Sequence, residues 1–296
     1  MHLNNDAKRF RPRDLLYLAM IVLPLVFGMV LQVLTKPASD GISITGARIF
    51  LEIPMPLQNL LITEAQINAW LVIIALCGVC LYLTNGIDAD RRDWRQIAAE
   101  WIVEQTEKLV SSNMDPIFSP GYAPFVGAIM GLSVFSSLLT LIGLYPPTSD
   151  LNVIAGWAIL VFILITKNKL KAGLGYYLKG YAEPIPVMLP MNIISEVATP
   201  ISMSFRHFGN VLSGSVISAL VAWALQGASN LLFGWLTSIP VLQVGLPAIL
   251  SAYFDVFSGC IQAFIFAMLT MLYISGGYPV DELTDRLNKR KASLQA

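Results

Sequence analysis

The 296-residue sequence is short of charge: Asp, Glu, Lys and Arg make up 13% of it, against 55% hydrophobic residues. A soluble domain of this length needs roughly a quarter of its residues charged to cover its surface, so a water-exposed globule is excluded. The 19 basic residues only balance 19 acidic ones, which leaves no net positive charge to hold nucleic acid. Histidine is scarcer still. Terminal His2 and isolated His207 cannot assemble a metal-catalytic set. Three cysteines, Cys77, Cys80 and Cys260, all lie in apolar stretches and support no disulfide framework. The C-x-x-C of Cys77 and Cys80 reads as small packing residues in an apolar helix rather than a redox pair. The glycine-rich loop that would cradle nucleotide phosphates is missing too.

What the chain does have is long apolar runs, with a mean hydropathy of +0.65. About 20 apolar residues cross a bilayer as helix, and six spans can be placed, at 14–35, 66–85, 122–145, 152–167, 185–226 and 240–275. The fourth is short at its apolar core and needs its flanks to span. The last two exceed one perpendicular crossing, so they are expected to tilt steeply, kink or lie partly along the membrane plane.

The basic residues test this division, because cytoplasmic connections carry the excess of Lys and Arg. Lys8, Arg9, Arg11 and Arg13 precede the first span, and Arg91, Arg92, Arg95 and Lys108 follow the second. Lys167, Lys169, Lys171 and Lys179 follow the fourth, and Arg286, Lys289, Arg290 and Lys291 follow the sixth. The outer connections hold only Lys36 and Arg48. The expected architecture is a single all-α polytopic membrane domain with both termini cytoplasmic. The first span has the basic flank of a signal peptide. It lacks a small-x-small cleavage site and runs long for one, so it reads as a retained helix. Residues 93–112 read as an amphipathic helix on the cytoplasmic face. Trp94, Ile97, Trp101 and Ile102 point to lipid or protein, and Glu100, Glu104 and Glu107 to water. Pro116, Pro120 and Gly121 break it before the third span. Asp150 reads as the N-terminal cap of the fourth helix, at a place that also suits a channel mouth.

Against this background Arg206 is out of place. It sits inside the fifth span, where the only other ionisable residues between 193 and 223 are Glu196 and His207. A guanidinium cannot neutralise itself at accessible pH, and a cation at mid-bilayer costs about 2.5–3.5 kcal/mol on insertion scales. Ser202, Arg206 and Asn210 stand four apart on one helix face, Gly214 extends the series, and Asn192 returns to nearly the same azimuth. Glu196 lies about a quarter turn away. In the sixth span Asp255, Ser258 and Gln262 share a face, since the seven-residue step from Asp255 to Gln262 nearly closes two turns. An internal Arg–Asp lock between two helices would need two partners. Amides, hydroxyls and carboxylates spread over several depths instead suit a hydrated ion path. His207 reads as a packing or hydrogen-bonding residue rather than a relay.

These residues resemble subunit a of the rotary F-type ATP synthase, the membrane stator beside a ring of c subunits. The most specific stretch is Pro200-Ile201-Ser202-Met203-Ser204-Phe205-Arg206-His207-Phe208-Gly209-Asn210, which is similar to the family's P-x-S-x-x-x-R-L-F-G-N signature. Gln262-Ala263-Phe264-Ile265-Phe266 resembles its Q-A-F-I-F pattern, and Pro147 to Asn152 resembles its P-T-S-D-L-N connection. There are departures. His207 stands where many relatives have leucine, Ser215 where many have an acidic residue, and Asp255 where many have histidine. Asn192 takes the place of a common acidic residue, with Glu196 four residues nearer the arginine. The first span is an addition to the commonest bacterial layout.

The resemblance implies a bacterial cell-membrane subunit whose last two helices form a tilted hairpin against the c ring. Its partners would be the ring, the peripheral-stalk b subunits and the rest of the synthase. Arg206 would be the essential stator arginine, with Asn210, Asp255, Ser258 and Gln262 on an outer half-channel and Asn192, Glu196 and Ser202 on an inner one. The chain itself would do no phosphoryl chemistry and need no cofactor. The transported ion would be a proton, with sodium as the alternative. A stand-alone secondary transporter would be expected to show internal repeats with paired broken helices, and none is evident. An intramembrane aspartyl protease needs two embedded aspartates, and only Asp255 qualifies.

Overall fold

Inside hydrocarbon a chain must satisfy its own backbone polar groups, which helices do segment by segment. Helices accordingly dominate the computed structural model. It describes residues 12–35, 46–56, 59–87, 93–115, 119–171, 173–182, 185–233, 245, 249–250 and 252–276. The basic residues at 8–11, 91–92 and 286–291, together with Lys36 and most of 240–251, lie outside the described residues.

Helix α1 (Pro12–Thr35) lies along α2 (Glu64–Thr84). The approach is close because Gly78 has no side chain: a Cβ there would stand 3.0 Å from Ile21 Cγ1 and 3.3 Å from the Ile21 backbone nitrogen. Cys77 and Cys80 flank that contact but face outward, unpaired. This corrects their reading as packing residues, since the glycine between them makes the contact. Helix α2 is capped by Thr63, whose Oγ1 accepts the Gln66 N–H at 3.4 Å.

Helix α3 (Trp94–Asn113) covers the segment expected to be helical; Trp94, Ile97, Trp101 and Ile102 are exposed on it, as are Glu100, Glu104 and Glu107. Its cap, Asp93, takes the Trp94 N–H at 2.7 Å. A buried ion pair ties this helix to the start of α1: Arg95 reaches Asp14 at 3.0 Å, Asn85 donates to the same carboxylate at 2.8 Å, and the guanidinium covers the Tyr82 ring at 4.2 Å.

Helix α4 (Ser119–Leu138) starts one residue before Pro120, so that proline sits in the first turn rather than ahead of the helix. A missing N–H has no cost there. The helix tightens into a 3-10 turn over Leu139–Ile142 and stops at Gly143, whose φ of 80° any other residue would resist. Helix α5 (Leu151–Lys171) is longer than its apolar core. Asp150 caps it as expected, Oδ1 accepting the Asn152 N–H at 2.9 Å. A short helix α6 (Leu174–Ala182) follows, which the sequence reading did not include.

Helix α7 (Leu189–Phe233) is a single run of 45 residues, entered through a 3-10 turn at Pro186–Met188. At 1.5 Å per residue it is about 67 Å long, over twice the roughly 30 Å hydrocarbon core. It therefore cannot cross upright. The chain returns through a π-helical segment, Ala252–Ser258, that runs into α8 (Gly259–Gly276). The i→i+5 bonding of a π-helix turns the chain less per residue than α-geometry does. The two-turn argument that put Asp255 on one face with Gln262 does not hold across this join.

Six helical stretches are long and apolar enough to cross a membrane: Arg13–Thr35, Glu64–Thr84, Gly121–Ile142, Leu151–Leu170, Pro186–Leu232 and Ala252–Gly276. The first four lie within three residues of the expected bounds, and the fifth runs six residues past its expected end, to Leu232 instead of 226. The core lies where α3, α4, α5, α7 and α8 meet, around Val110, Val126, Val161, Met203, Phe266 and Met271. One element departs from an all-helical reading. A two-stranded antiparallel hairpin, β1 (Ile49–Ile53) and β2 (Leu60–Thr63), leads straight into α2 at the end away from Lys169.

Candidate functional site

Helix α7 divides its residues between two environments around Arg206. Met203, Ser204 and His207 turn inward and are 2%, 4% and 0% exposed. Ile201, Ser202, Phe205 and Arg206 turn outward and are exposed. Steps of 100° per residue account for both sets. Arg206 makes no hydrogen bond or ion pair to any described residue. No described side chain supplies an interhelical partner, and the Asp255 side chain, which such a lock would use, lies outside the described residues. A permanent cation stands on an open apolar face, 17 residues from the start of a 45-residue helix.

One turn further along α7 the stripe goes under cover. Ser258 Oγ donates to Asn210 Oδ1 at 2.9 Å, and Asn210 Nδ2 donates back to the Ser258 carbonyl at 3.4 Å. Gly214 then passes beneath Phe254, where a Cβ would approach to 3.1 Å. Gln262 is 5% exposed, one turn beyond Ser258 on α8. So Asn210 and Ser258 are brought into contact, Gln262 is buried beside them, and Asp255 belongs to the π segment, where its side chain is outside the described set. The π-helix and α8 can come this close to α4 because position 259 is glycine. A Cβ there would fall 2.7 Å from the Ser137 side chain.

Toward the other end of α7, the end that carries Lys169, a cavity of about 600 Å³ opens between α5, α6, α7 and α8. Glu196 and Asn192 both line it, together with Lys169, Tyr177, Tyr181 and Thr199. Glu196 Oε1 accepts from Lys169 Nζ at 3.0 Å and from the Tyr177 hydroxyl at 3.3 Å. Tyr177 and Tyr181 share a 2.5 Å hydrogen bond, and Asn192 Nδ2 donates to the Tyr181 carbonyl at 2.8 Å. Burial, followed by bonding to Glu196 and Tyr177, holds the Tyr181 phenol well above its usual range, so it stays a donor. Ser202, expected here, is not on the cavity wall. It stands on the open face one turn from Arg206.

Lys169, Tyr177 and Tyr181 escaped the sequence reading, which counted the lysine as a marker of sidedness and placed no helix around the tyrosines. Their signal was the i, i+4 spacing of two tyrosines just after a basic cluster.

Two further places bear on the site. His207 is sealed between α4, α5 and α8: its Nε2 lies 3.4 Å from Ser133 Oγ, its ring meets Trp157 and Phe266 edge-on, and its Nδ1 has no partner. At the hairpin end, Asp150 Oδ2 accepts from Thr63 Oγ1 at 3.3 Å, and Glu64 faces Arg48 at 3.7 Å. Burial first, then the Asp150 and Glu64 charges, push the Tyr145 phenol upward.

The geometry thus offers Arg206, a cation with no partner among the described residues, between two separate polar sites. Glu196 is ten residues, or about 15 Å of helix axis, to one side, and Asn210 about 6 Å to the other. Residues 67–275 match the family described as ATP synthase A chain. The chain belongs to that family. Curated relatives agree over most of its length. It is 31% identical over 213 residues to ATP synthase subunit a 1 of Crocosphaera subtropica, covering 71% of this chain and 84% of the relative. It is 32% identical over 214 residues to ATP synthase subunit a 1 of Chlorobium luteolum, covering 70% and 86%. A shorter similarity, 40% over 131 residues, joins it to the sodium-ion-specific ATP synthase subunit a of Propionigenium modestum, covering 44% and 39%. Family membership and six spans make the chain a multi-pass bacterial membrane subunit of an ATP synthase, with the family's ion-translocating stator role. Helix α1 and the hairpin precede the matched region.

Proposed function

We propose that the open face of α7 is where a ring of c subunits turns, and that Arg206 meets each ring carboxylate in passing. The observation that carries this is the unpaired guanidinium on an apolar face, with a polar site at each side of it along the helix. A carboxylate desolvated in lipid stays neutral, and beside a cation its pKa falls. Arg206 therefore promotes ion release as each carboxylate arrives, and its fixed charge opposes a cation passing straight from one polar site to the other.

Asn210, Asp255, Ser258 and Gln262 form the outer half-channel in this reading. Asn192 and Glu196 form the inner one, with the Lys169 end cytoplasmic and both termini on that side. Ser202 moves from the inner path to the ring-facing surface. A membrane potential supplies about 2.3 kcal/mol per charge per 100 mV, which the offset between the two paths turns into rotation. The peripheral-stalk b subunits hold the chain still. The ion is the proton. The sodium-specific relative supports sodium as the second reading, and dependence of ATP synthesis on added sodium separates the two.

Purified from its membrane, the chain should bring a c ring and stalk with it. Arg206→Ala should leave that assembly intact and abolish ion-coupled ATP synthesis in reconstituted vesicles. Preserved coupling in the mutant would refute the assignment.

A further inference from the structure

The sixteen basic residues that flank the spans do one job in the sequence, marking sidedness. Lys169 does something more. Its ammonium points into the cavity at the end of α7 and touches Glu196, the one carboxylate on that wall among the described residues, at 3.0 Å. The pair is partly shielded, with side chains 28% and 10% exposed. Lys167 and Lys179, at the same end of the molecule, are not on the wall. Among the described residues, the other titratable groups lining the cavity are the hydroxyls of Tyr177, Tyr181 and Tyr273.

We infer that Lys169 throttles ion traffic through this cavity by cancelling the field of Glu196. This deepens, and rests on, the reading of the cavity as the inner half-channel. A vestibule whose wall bears an unopposed carboxylate concentrates cations, because low-dielectric walls focus its field on the lumen. The same vestibule with an ammonium 3.0 Å from that carboxylate presents a dipole, whose field dies away within a few ångströms of the pair. Cations then gather less at the mouth, and their entry toward the ring from the Lys169 side slows. The bland alternative is that the pair only fastens α5 to α7. The tyrosines argue against it. Tyr177 bonds the same Oε1 that takes the ammonium, and Tyr181 stacks edge-on against Tyr177 at 5.1 Å. Together they hold the carboxylate at the lumen whether or not the lysine is present.

The test uses the complete membrane sector, with ring and stalk, in sealed vesicles, measuring proton flux driven through it from the Lys169 side. Co-purification of ring and stalk checks assembly of each variant. At about 0.01 M salt, where the Debye length is about 30 Å, Lys169→Gln should raise the flux about two- to ten-fold. At about 0.1 M, where it is about 10 Å, the gain should shrink. Glu196→Gln should slow the flux, because it leaves the ammonium unopposed, and the double variant should return toward wild type, because both charges are then gone. Lys169→Arg keeps the charge and should reproduce wild-type flux and its salt response. A fastener would give a loss in Lys169→Gln that salt leaves alone and that adds to Glu196→Gln. That result, or a Lys169→Arg flux that departs from wild type, overturns the throttle. If Arg206→Ala leaves the wild-type flux and its coupling untouched, the stator reading falls instead, and the throttle with it.

Discussion

Arg206 and His207 are neighbours in sequence with opposite fates. One stands unpaired on the open face of α7 and the other is sealed behind it, because consecutive helical residues differ by 100°. Reading His207 as a packing residue rather than a relay agrees with its surroundings of Ser133, Trp157 and Phe266. Its 3.4 Å contact to Ser133 is long, and hydrogen bonds between membrane helices average only about 0.6 kcal/mol. The orphaned Nδ1 offsets even that. His207→Leu, which restores the residue common in the resembling family, should therefore change stability by less than about 1 kcal/mol and leave coupling intact. Melting of the purified complex and ATP synthesis in vesicles measure both, and a loss of coupling would promote the histidine to the ion path. Arg206, Asn210 and Glu196 were legible from sequence because charge and amide groups are conspicuous in an apolar run. Lys169 was not, because a lysine at the end of a span satisfies the sidedness rule and invites no further question.

Among elements, the helices were easy to find and their joins were not. Twenty apolar residues can do little in hydrocarbon except form a helix. Whether a turn bonds at i+4 or i+5 depends on a local balance of backbone contacts that side-chain periodicity does not report. The π segment at Ala252–Ser258, the 3-10 turn at Leu139–Ile142, helix α6 and the hairpin all belong to that second category. The hairpin carries a bulge between Ile49 and Leu51, and so blurs the alternation that would have announced it. The join does have one checkable requirement. Gly259 lets the start of α8 close on α4 at Ser137. Gly259→Ala should cost about 1–3 kcal/mol through overpacking, seen as a lower melting temperature of the complex. Ser137→Gly in the same chain should return part of the loss. An unchanged melting temperature in the single variant would mean that the two helices can part without penalty.

For the molecule as a whole, the arrangement is two polar sites at different points along one 45-residue helix. That separation is what the half-channel reading requires. If it is right, blocking each site should affect a different side of the membrane. Asp255→Asn should slow passive entry of protons from the outer face more than Glu196→Gln does, in vesicles that contain the ring. Equal slowing by both would argue against dividing the residues into two paths. The overall plan was legible because span counting and the positions of basic residues are independent and agreed. The depth of each polar residue was less so. The stripe Ser202, Arg206, Asn210, Gly214 looked like one continuous face in sequence, yet its first half is open and its second half lies under the π segment and α8.

The buried pair at the start of α1 sets an order on biogenesis. Asp14 leaves the ribosome early, but the guanidinium that neutralises it sits on α3, and Asn85, which also binds it, at the end of α2. The contacts that close that end are complete only after α3 has been made, so α1, α2 and α3 are joined there through one carboxylate.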